Sequence, residues 1–477
     1  MLPTQMRSTA DELIAQFRTS LDRDAQAASI PDLLSAEQTV VAFVHQLGLG
    51  MLQAFVDVRA EQAKANRRSC RCGSMPEVHR TTTWTRQSPF GALSVRDPYL
   101  YCRSCHDSMR PLHVLLGTDR ETWSPLVQEA AVDLASDESC GKAVAKLARH
   151  HPGVEMDRTT ALRMLHHHGE QARAFINDKL AKARETIGLP PAQRPKGAEE
   201  MEVQFDGGMI PVATLEPIQL EEGQQPELTA VRGLPKRKKV CRWEECKVGL
   251  VQIPGEVDRL YSVQPTDGLD KSFKDLFSLA SLKGLTESTE VRGIADGALH
   301  IRPRMEAAFA AGNFRFILDR PHCKEHLSNT GDALQLECII SMPSQEWASA
   351  ALSKLELGQS SDVITELKKA WECSGPDERS RNDTLRLEMN YLRRNRDAVA
   401  YARYREQGWS TASSEVESGH RHVVQCRVKI SGAWWHPDNV DHILALRMLK
   451  ANGWWDEYWA NDRKEWRLNA ERIATKG

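Results

Sequence analysis

Three apolar runs that each stop at an aspartate constrain this 477-residue chain most. MEVQFD stops at Asp206, VRGIAD at Asp296 and FRFILD at Asp319. Short Val/Ile/Phe-rich runs that break off at an acid read as buried strands whose exits carry carboxylates. Two further strand candidates, VCRWEECKVGLVQI and DRLYSVQP, and a helix candidate, LDKSFKDLFSLASLKG, lie between the first acid and the second. Hairpin strands, a helix and more strands predict a mixed α/β sheet. Farther on, SSEVESGHRHVVQCRVK has helical character and carries Glu417. Two strand-end aspartates and a helical glutamate can converge on two divalent metals, and two-metal sites drive in-line phosphoryl transfer. Asp206, Asp296 and Glu417 are thus the candidate catalytic and metal-binding acids, with Asp319 in reserve for the second. Mg²⁺ or Mn²⁺ is the expected ion, because hard cations take carboxylate oxygen.

Cysteine spacing predicts a second metal. CRCG supplies Cys70 and Cys72, and YCRSC supplies Cys102 and Cys105 about 30 residues later. Thr81, Thr82, Thr83, Trp84, Leu93, Val95, Tyr99 and Tyr101 between them are β-formers. Two knuckles at the ends of hairpin strands make a zinc ribbon, with His79 and His106 as substitute ligands. Four protein thiolates leave no open position, so this zinc is structural.

Composition sets outer limits. The chain is 41% hydrophobic and 27% charged, as in ordinary soluble domains, and its length suits several of them. No apolar run reads as the roughly 20-residue span a membrane requires. MLPTQMRSTADELIAQF has no signal-peptide core, which predicts the cytoplasm. An odd count of eleven cysteines then favours metal ligands and buried thiols over disulfides. A net charge of −2 means that any nucleic-acid surface must be a local concentration of Lys and Arg.

The organisation follows from changes in pattern. Residues 1–62 are a helical region, either a packing domain or a dimerisation arm, and 63–118 are the zinc ribbon. Residues 119–187 hold three short helix candidates, the last two spaced like a helix-turn-helix that offers Arg158 and Arg163 to DNA. The His166–His168 triplet on the third does not share an ion, since adjacent helical residues diverge. Gly188–Glu200, GLPPAQRPKGAEE, is a linker. Residues 201–326 carry the α/β pattern, 327–408 are helical throughout, and 409–477 return to the helix bearing Glu417 and close on further helices. Lys236, Arg237, Lys238 and Lys239 form a basic run between two strands, either a hairpin tip on the DNA backbone or a solvated turn. Arg421, Arg427 and Lys429 follow Glu417 at spacings that share helix faces near the acid. The arginines from Arg379 to Arg396 suit phosphate contacts or a solvated face equally well. Trp434, Trp435, Trp454, Trp455 and Trp459 read as packing more readily than as base-stacking residues.

QFDGGMIPV, RWEECKVG, GIADGALHIRP, FILDRPHCKEHL and the segment from Ser413 to Trp459 together resemble the DDE-type insertion-sequence transposases of the ISKra family. The resemblance implies a multidomain α/β protein: an RNase H-like catalytic domain with an all-helical insertion, preceded by helical, zinc-ribbon and helix-turn-helix modules. It implies Asp206, Asp296 and Glu417 as the catalytic triad, and His322 in DRPH as a supporting residue beside it. The family's glycine–serine–glycine stretch ahead of the glutamate reads Ala412, Ser413, Ser414 here, which makes Glu415 a reserve third acid. It further implies double-stranded DNA as partner, both transposon ends and target, a homodimer or higher oligomer, and a bacterial, nucleoid-associated setting. A DNA-binding protein that no longer cuts, or a nuclease of the same fold that does not transpose, are the competing readings.

Overall fold

The computed structural model describes residues 4–25, 32–65, 69–117, 122–186, 196–219, 225, 227–229, 233–265, 268–310, 313–377 and 381–475. Most of the predicted linker (residues 188–195) and Arg379 lie outside them. The elements in chain order begin with α1 (Thr4–Ala25), α2 (Leu33–Ala65), β1 (Glu77–Ser88), β2 (Gly91–Tyr101), β3 (Ser108–Met109) and α3 (Pro111–Leu116). Then come α4 (Pro125–Asp137), α5 (Cys140–His150), α6 (Arg158–Thr186), β4 (Glu200–Pro217), β5 (Arg237–Gln252), β6 (Arg259–Gln264) and α7 (Leu269–Leu282). These are followed by β7 (Glu290–Ala295), α8 (Arg302–Ala308), β8 (Asn313–Leu318), α9 (Arg320–Leu336), α10 (Ser344–Glu356), α11 (Ser360–Cys373) and α12 (Asp383–Arg394). The last are α13 (Tyr401–Glu406), α14 (Ser414–Gly419), a π-helical segment His420–Gln425, α15 (Cys426–Val428), α16 (Pro437–Ala451) and α17 (Trp455–Thr475). The chain forms two compact units: residues 1–168 with 454–477, and residues 169–453.

In the first unit, β1, β2 and β3 form an antiparallel sheet, with Trp84 opposite Val95 and Leu100 opposite Met109. Val56, Ala60 and Ala63 of α2 pack on Leu93, Val95 and Leu112 from β2 and α3. α2 is also the described helix long and apolar enough to cross a membrane by length and composition, which the sequence reading did not assign. Side-chain caps start the next helices: Ser124 and Ser139 oxygens accept from the amides of Val127 and Lys142, and Asp157 accepts from Thr159 and Thr160. α5 and α6 are joined by His151–Asp157, longer than the three- or four-residue turn of a helix-turn-helix. His168 is buried between Tyr458 and Gln128, each 2.9 Å from one ring nitrogen, while His167 is exposed. Burial, with His167 adding to it, pushes the His168 imidazole down to about 3.

In the second unit the sheet order is β6-β5-β4-β7-β8. β4, β5 and β6 are antiparallel neighbours, whereas β7 and β8 run parallel to β4. β7 is buried along nearly its whole length and β8 over the half that leads to Asp319, as strands covered on both faces must be. Side chains alternate along β4. Phe205 goes to one face and stacks on Phe273 of α7 at 4.6 Å. Gln204, Asp206 and Gly208 go to the other face, where the Gln204 carbonyl accepts from Val416 N at 2.9 Å and Gly208 lies under the His420 ring.

Several boundaries differ from the sequence reading. β4 does not end at Asp206; its ladder with β5 continues to Pro217, because Gly207 and Gly208 interrupt the apolar pattern and not the backbone pairing. The end of the predicted linker is already structured, since Ala198 N donates to Gly284 O at 2.9 Å and β4 starts at Glu200. The helical stretch starts at Arg320, directly after Asp319, not at residue 327. Residues 454–477 belong with the first unit and not with the sheet.

Candidate active site and metal centre

Strand register gathers the acids. Gln204 pairs with Ile294, and Ala295 pairs with Leu318. Continuing these registers sets Asp206 level with Asp296, and Asp296 level with Asp319, at the exits of β7 and β8 and beside the interior of β4. α14 meets the same end through the Val416–Gln204 bond. Asp206, Asp319, Pro321, His322, Glu325, Ala412, Ser413, Ser414 and Glu417 line one cleft of about 330 Å³.

The acids are not equivalent. Asp319 is 1% exposed and all its acceptor positions are taken. One oxygen accepts from His322 N (3.0 Å) and His322 Nδ1 (2.6 Å), the other from Ser413 N (2.6 Å) and Ser413 Oγ (2.9 Å). A carboxylate has about four lone-pair sites, so none remains for a metal. Asp319 therefore ties the start of α9 to the start of α14; it lines the cleft, whereas Asp296 does not. Glu415 pairs with Arg259 at 2.9 Å and is not among the cleft residues, whereas Glu417 is. Asp206 is half-buried and accepts from Gly207 N at 2.8 Å. Burial pushes its carboxyl up and the Asp296 charge adds to this, against the pull of His420, the Gly207 amide and His322. Asp296 accepts from Ala298 N at 2.9 Å, and its carbonyl takes the Tyr391 hydroxyl at 2.8 Å. Glu417 is exposed and meets Arg421 at 2.5 Å.

His322 is the cation in this cluster. The hydrogen bond to Asp319 holds its imidazole up at about 9 against burial, helped by the charges of Asp319, Asp206 and Asp296. In return, hydrogen bonds from His322 and Ser413 overcome burial and hold the Asp319 carboxyl below its usual range. The His322 contribution to stability is complete below its ordinary 6.5 and is lost as pH rises through about 9. The Asp319 contribution is lost only in acid. We predict that the wild-type melting temperature falls between about pH 7 and 10 and that His322→Ala removes most of this slope; parallel slopes in calorimetric melts would disprove the pairing. Asp319→Asn should cost roughly 1–3 kcal/mol, since it weakens charged hydrogen bonds in a buried site.

His420 was not anticipated. It is 2% exposed, and neither ring nitrogen has a hydrogen-bond partner among the described residues. A Cβ on Gly208 would sit 2.7 Å from the ring, so only glycine admits His420 at this point of β4. Its signal was hidden because contact with Asp206 arises only when the π-helical segment closes on the strand.

Arg427 is a correction. It is buried, its guanidinium 4.7 Å above the Trp435 ring, and so it is not a DNA contact. Arg158, Arg163, Arg237, Lys238, Arg421 and Lys429 are exposed, and exposed Lys236 meets Glu227 at 2.6 Å. Arg381 lies over Trp371 at 4.9 Å, and Arg386 pairs with Asp383.

Compared with protein-family models, curated proteins and solved structures, the chain matches none.

The cysteines form a second centre, in the first unit. The four sulfurs of Cys70, Cys72, Cys102 and Cys105 all lie within 4.8 Å of one another, with Cys70–Cys105 at 3.2 Å and Cys72–Cys102 at 3.6 Å. Thiolates tetrahedral about an ion at 2.3 Å would be roughly 3.8 Å apart, so the cluster can hold a structural metal such as zinc. Backbone turns shape both knuckles: Gly73 N donates to Cys70 O (2.8 Å), and His106 N to Cys102 O (2.9 Å). Gly73 takes φ +86° for this. Ser74 pulls the Cys72 thiol down to about 6, while the Cys70 contact pushes Cys105 up to about 12. His106 bonds Tyr101 at 2.7 Å and His79 packs on Tyr99 and Tyr101, so the ligand set is the four thiols and neither histidine substitutes.

Among the described residues, no acidic group gathers three ligand oxygens as tightly as the cysteines do. A two-ion site does not require it. Ions about 4 Å apart, each about 2.1 Å from its oxygens, span roughly 8 Å end to end. The donor set fits hard cations, and cation binding would relieve the side-by-side Asp206 and Asp296 charges.

Proposed function

We propose that the protein is a transposase of the DDE type, cutting and joining DNA strands at the ends of an insertion sequence, and that its second unit is an RNase H-like domain. The observation that carries this is that Asp206 and Glu417 line one cleft, with Asp296 level with Asp206 just past the end of the adjacent parallel strand. A three-stranded meander followed by two parallel strands supports the fold assignment, as do the helices α9–α13 between β8 and α14. Held by these carboxylates, two Mg²⁺ or Mn²⁺ ions would supply charge neutralisation and activation of an attacking water or 3′-hydroxyl. Asp206 within β4 and Asp296 directly after β7 would fix the geometry rigidly. Glu417 on a helix end, paired at the surface with Arg421, can exchange that partner for an ion. Protonated His322 sits where it can meet a phosphate oxygen. The four-cysteine cluster and helices α4–α6 would hold the DNA ends, and two ends call for at least a dimer. The deciding test is Mg²⁺-dependent nicking of DNA bearing the element's inverted repeats. Intact DNA after prolonged incubation with the native protein, under conditions where it binds those ends, would refute the reading.

Binding to duplex DNA should follow counterion release. Removing both Arg158 and Arg163 is expected to reduce the slope of log K against log salt by about 2, at roughly 0.9 per phosphate contact. An unchanged slope in fluorescence anisotropy would exclude the start of α6 from the DNA interface.

A further inference from the structure

The β4–β5 ribbon carries a surface that the cleft chemistry does not use. In its register Trp243 faces Pro211, Cys241 faces Ala213, Lys239 faces Leu215 and Arg237 faces Pro217. Cross-strand partners share a face, and so do alternate residues along each strand. Trp243, Lys239, Arg237 and Leu215 therefore stand on one side, opposite the side that bears Asp206 and Gly208. This side is open: Trp243 is 55% exposed and Leu215 60%, and both cations are exposed. Trp434 joins it. Trp435 bridges to Val212 and its carbonyl accepts from Ala213 N at 2.8 Å, which brings Trp434 level with Pro211. The Trp434 and Trp243 rings meet at 5.9 Å and 63°. Trp435 turns to the other side, under Arg427, with its indole N–H on the Val428 carbonyl at 2.8 Å. One indole of the pair thus packs under Arg427, and the other, half-buried, adjoins the exposed Trp243 ring.

Two near-perpendicular rings leave an indole face free. From it, Lys239 and Arg237 lead away along the strand, each step of two residues covering about 6.8 Å. The nearby acid Glu245 is paired with Lys247. An open π-face at the head of a row of cations is the chemistry that holds an unpaired strand, with bases on rings and phosphates on cations. Duplex DNA meets the cations alone, because its bases are already stacked on one another. We propose that this side of the ribbon binds single-stranded DNA, with one base stacked on Trp243 beside Trp434 and the backbone on Lys239 and Arg237. The inference rests on the DNA reading above and gives it a place for the strand that cleavage frees.

The test uses the full chain without divalent metal and reads only binding, so it is independent of whether the protein cuts. The probes are fluorescent oligothymidylate of about 20 nucleotides, long enough to cover the ribbon, and a blunt duplex. Trp243→Ala should weaken oligothymidylate binding about 5- to 150-fold, the range that stacking of one base commands. Trp243→Phe should recover most of this, and duplex binding should change less than about 2-fold because it makes no stacking contact. Lys239→Ala with Arg237→Ala should flatten the salt dependence for the single strand. Wild-type oligothymidylate affinity in a folded Trp243→Ala protein would overturn the proposal. So would equal losses for both probes, or a change of oligomeric state on gel filtration, which would make the surface a contact between copies. If nicking fails but these results hold, the transposase reading falls and the single-strand site stands.

Discussion

Asp206→Asn, Asp296→Asn and Glu417→Gln are each expected to lower Mg²⁺-dependent strand cleavage at least about 10³-fold while duplex binding stays within a few-fold. The size follows from chemistry: a metal contributes several kcal/mol of transition-state stabilisation, and each 1.36 kcal/mol is tenfold in rate. Isosteric amides keep volume and remove one charge, so folding is spared. For Asp206 the fold should even gain, since its carboxyl is penalised by burial and by Asp296. Asp206→Asn is therefore expected to melt at or above the wild-type temperature while losing activity, which separates a functional acid from a structural one. Asp319→Asn provides the contrast, because the buried carboxylate it replaces makes four hydrogen bonds. Its loss of cleavage should come with a lowered melting temperature. Glu415→Gln, which touches Arg259 and not the cleft, should cut at close to the native rate. If Glu415→Gln is dead and Glu417→Gln active, the third acid has been misplaced by half a turn of helix. If all three principal variants cut normally, no metal chemistry occurs in this cleft.

How far such a site is legible in a sequence depends on where its information is stored. Asp296 and Asp319 could be found because a buried parallel strand leaves an apolar run with a sharp end, and the run marks the acid. What the run cannot reveal is that the two aspartates differ in role. That depends on Ser413, 94 positions away, arriving to occupy the free oxygen of Asp319. Asp206 was found for a partly wrong reason, since β4 continues beyond it and the pattern break comes from two glycines. Arg427 was misassigned for a geometric reason. The spacing of Arg421, Arg427 and Lys429 shares a face with Glu417 only in α-helical phase, but His420–Gln425 is π-helical. One extra residue in a turn rotates everything after it by about 100°, enough to carry Arg427 from the surface onto Trp435. The cysteine knuckles were legible because their chemistry is local: two short turns, each closed by its own backbone bonds, present two thiols apiece.

Removal of metal from the four-cysteine cluster is expected to unfold the ribbon outright. The sheet of β1–β3 is small: β3 has two residues, and the outer end of β1 is exposed from Glu77 to Thr81. Its apolar support comes from one side, where α2 and α3 meet Leu93 and Val95. A core of that size supplies only a few kcal/mol, whereas a structural zinc on four thiolates supplies on the order of 10 kcal/mol to folding. The metal therefore dominates. The purified protein should contain about one zinc per chain, as a closed tetrahedral site requires. Chelation, or Cys102→Ser at the most deeply buried ligand, should abolish amide-exchange protection from Glu77 to Met109. Protection in β4, β7 and β8 should persist, because those strands belong to the other unit and are buried by their own helices. Binding should also release protons and weaken in acid, since Cys105 holds its proton up to about 12 without a metal. Zinc-free protein with native protection across β1 and β2 would show that the thiols are packed for another reason.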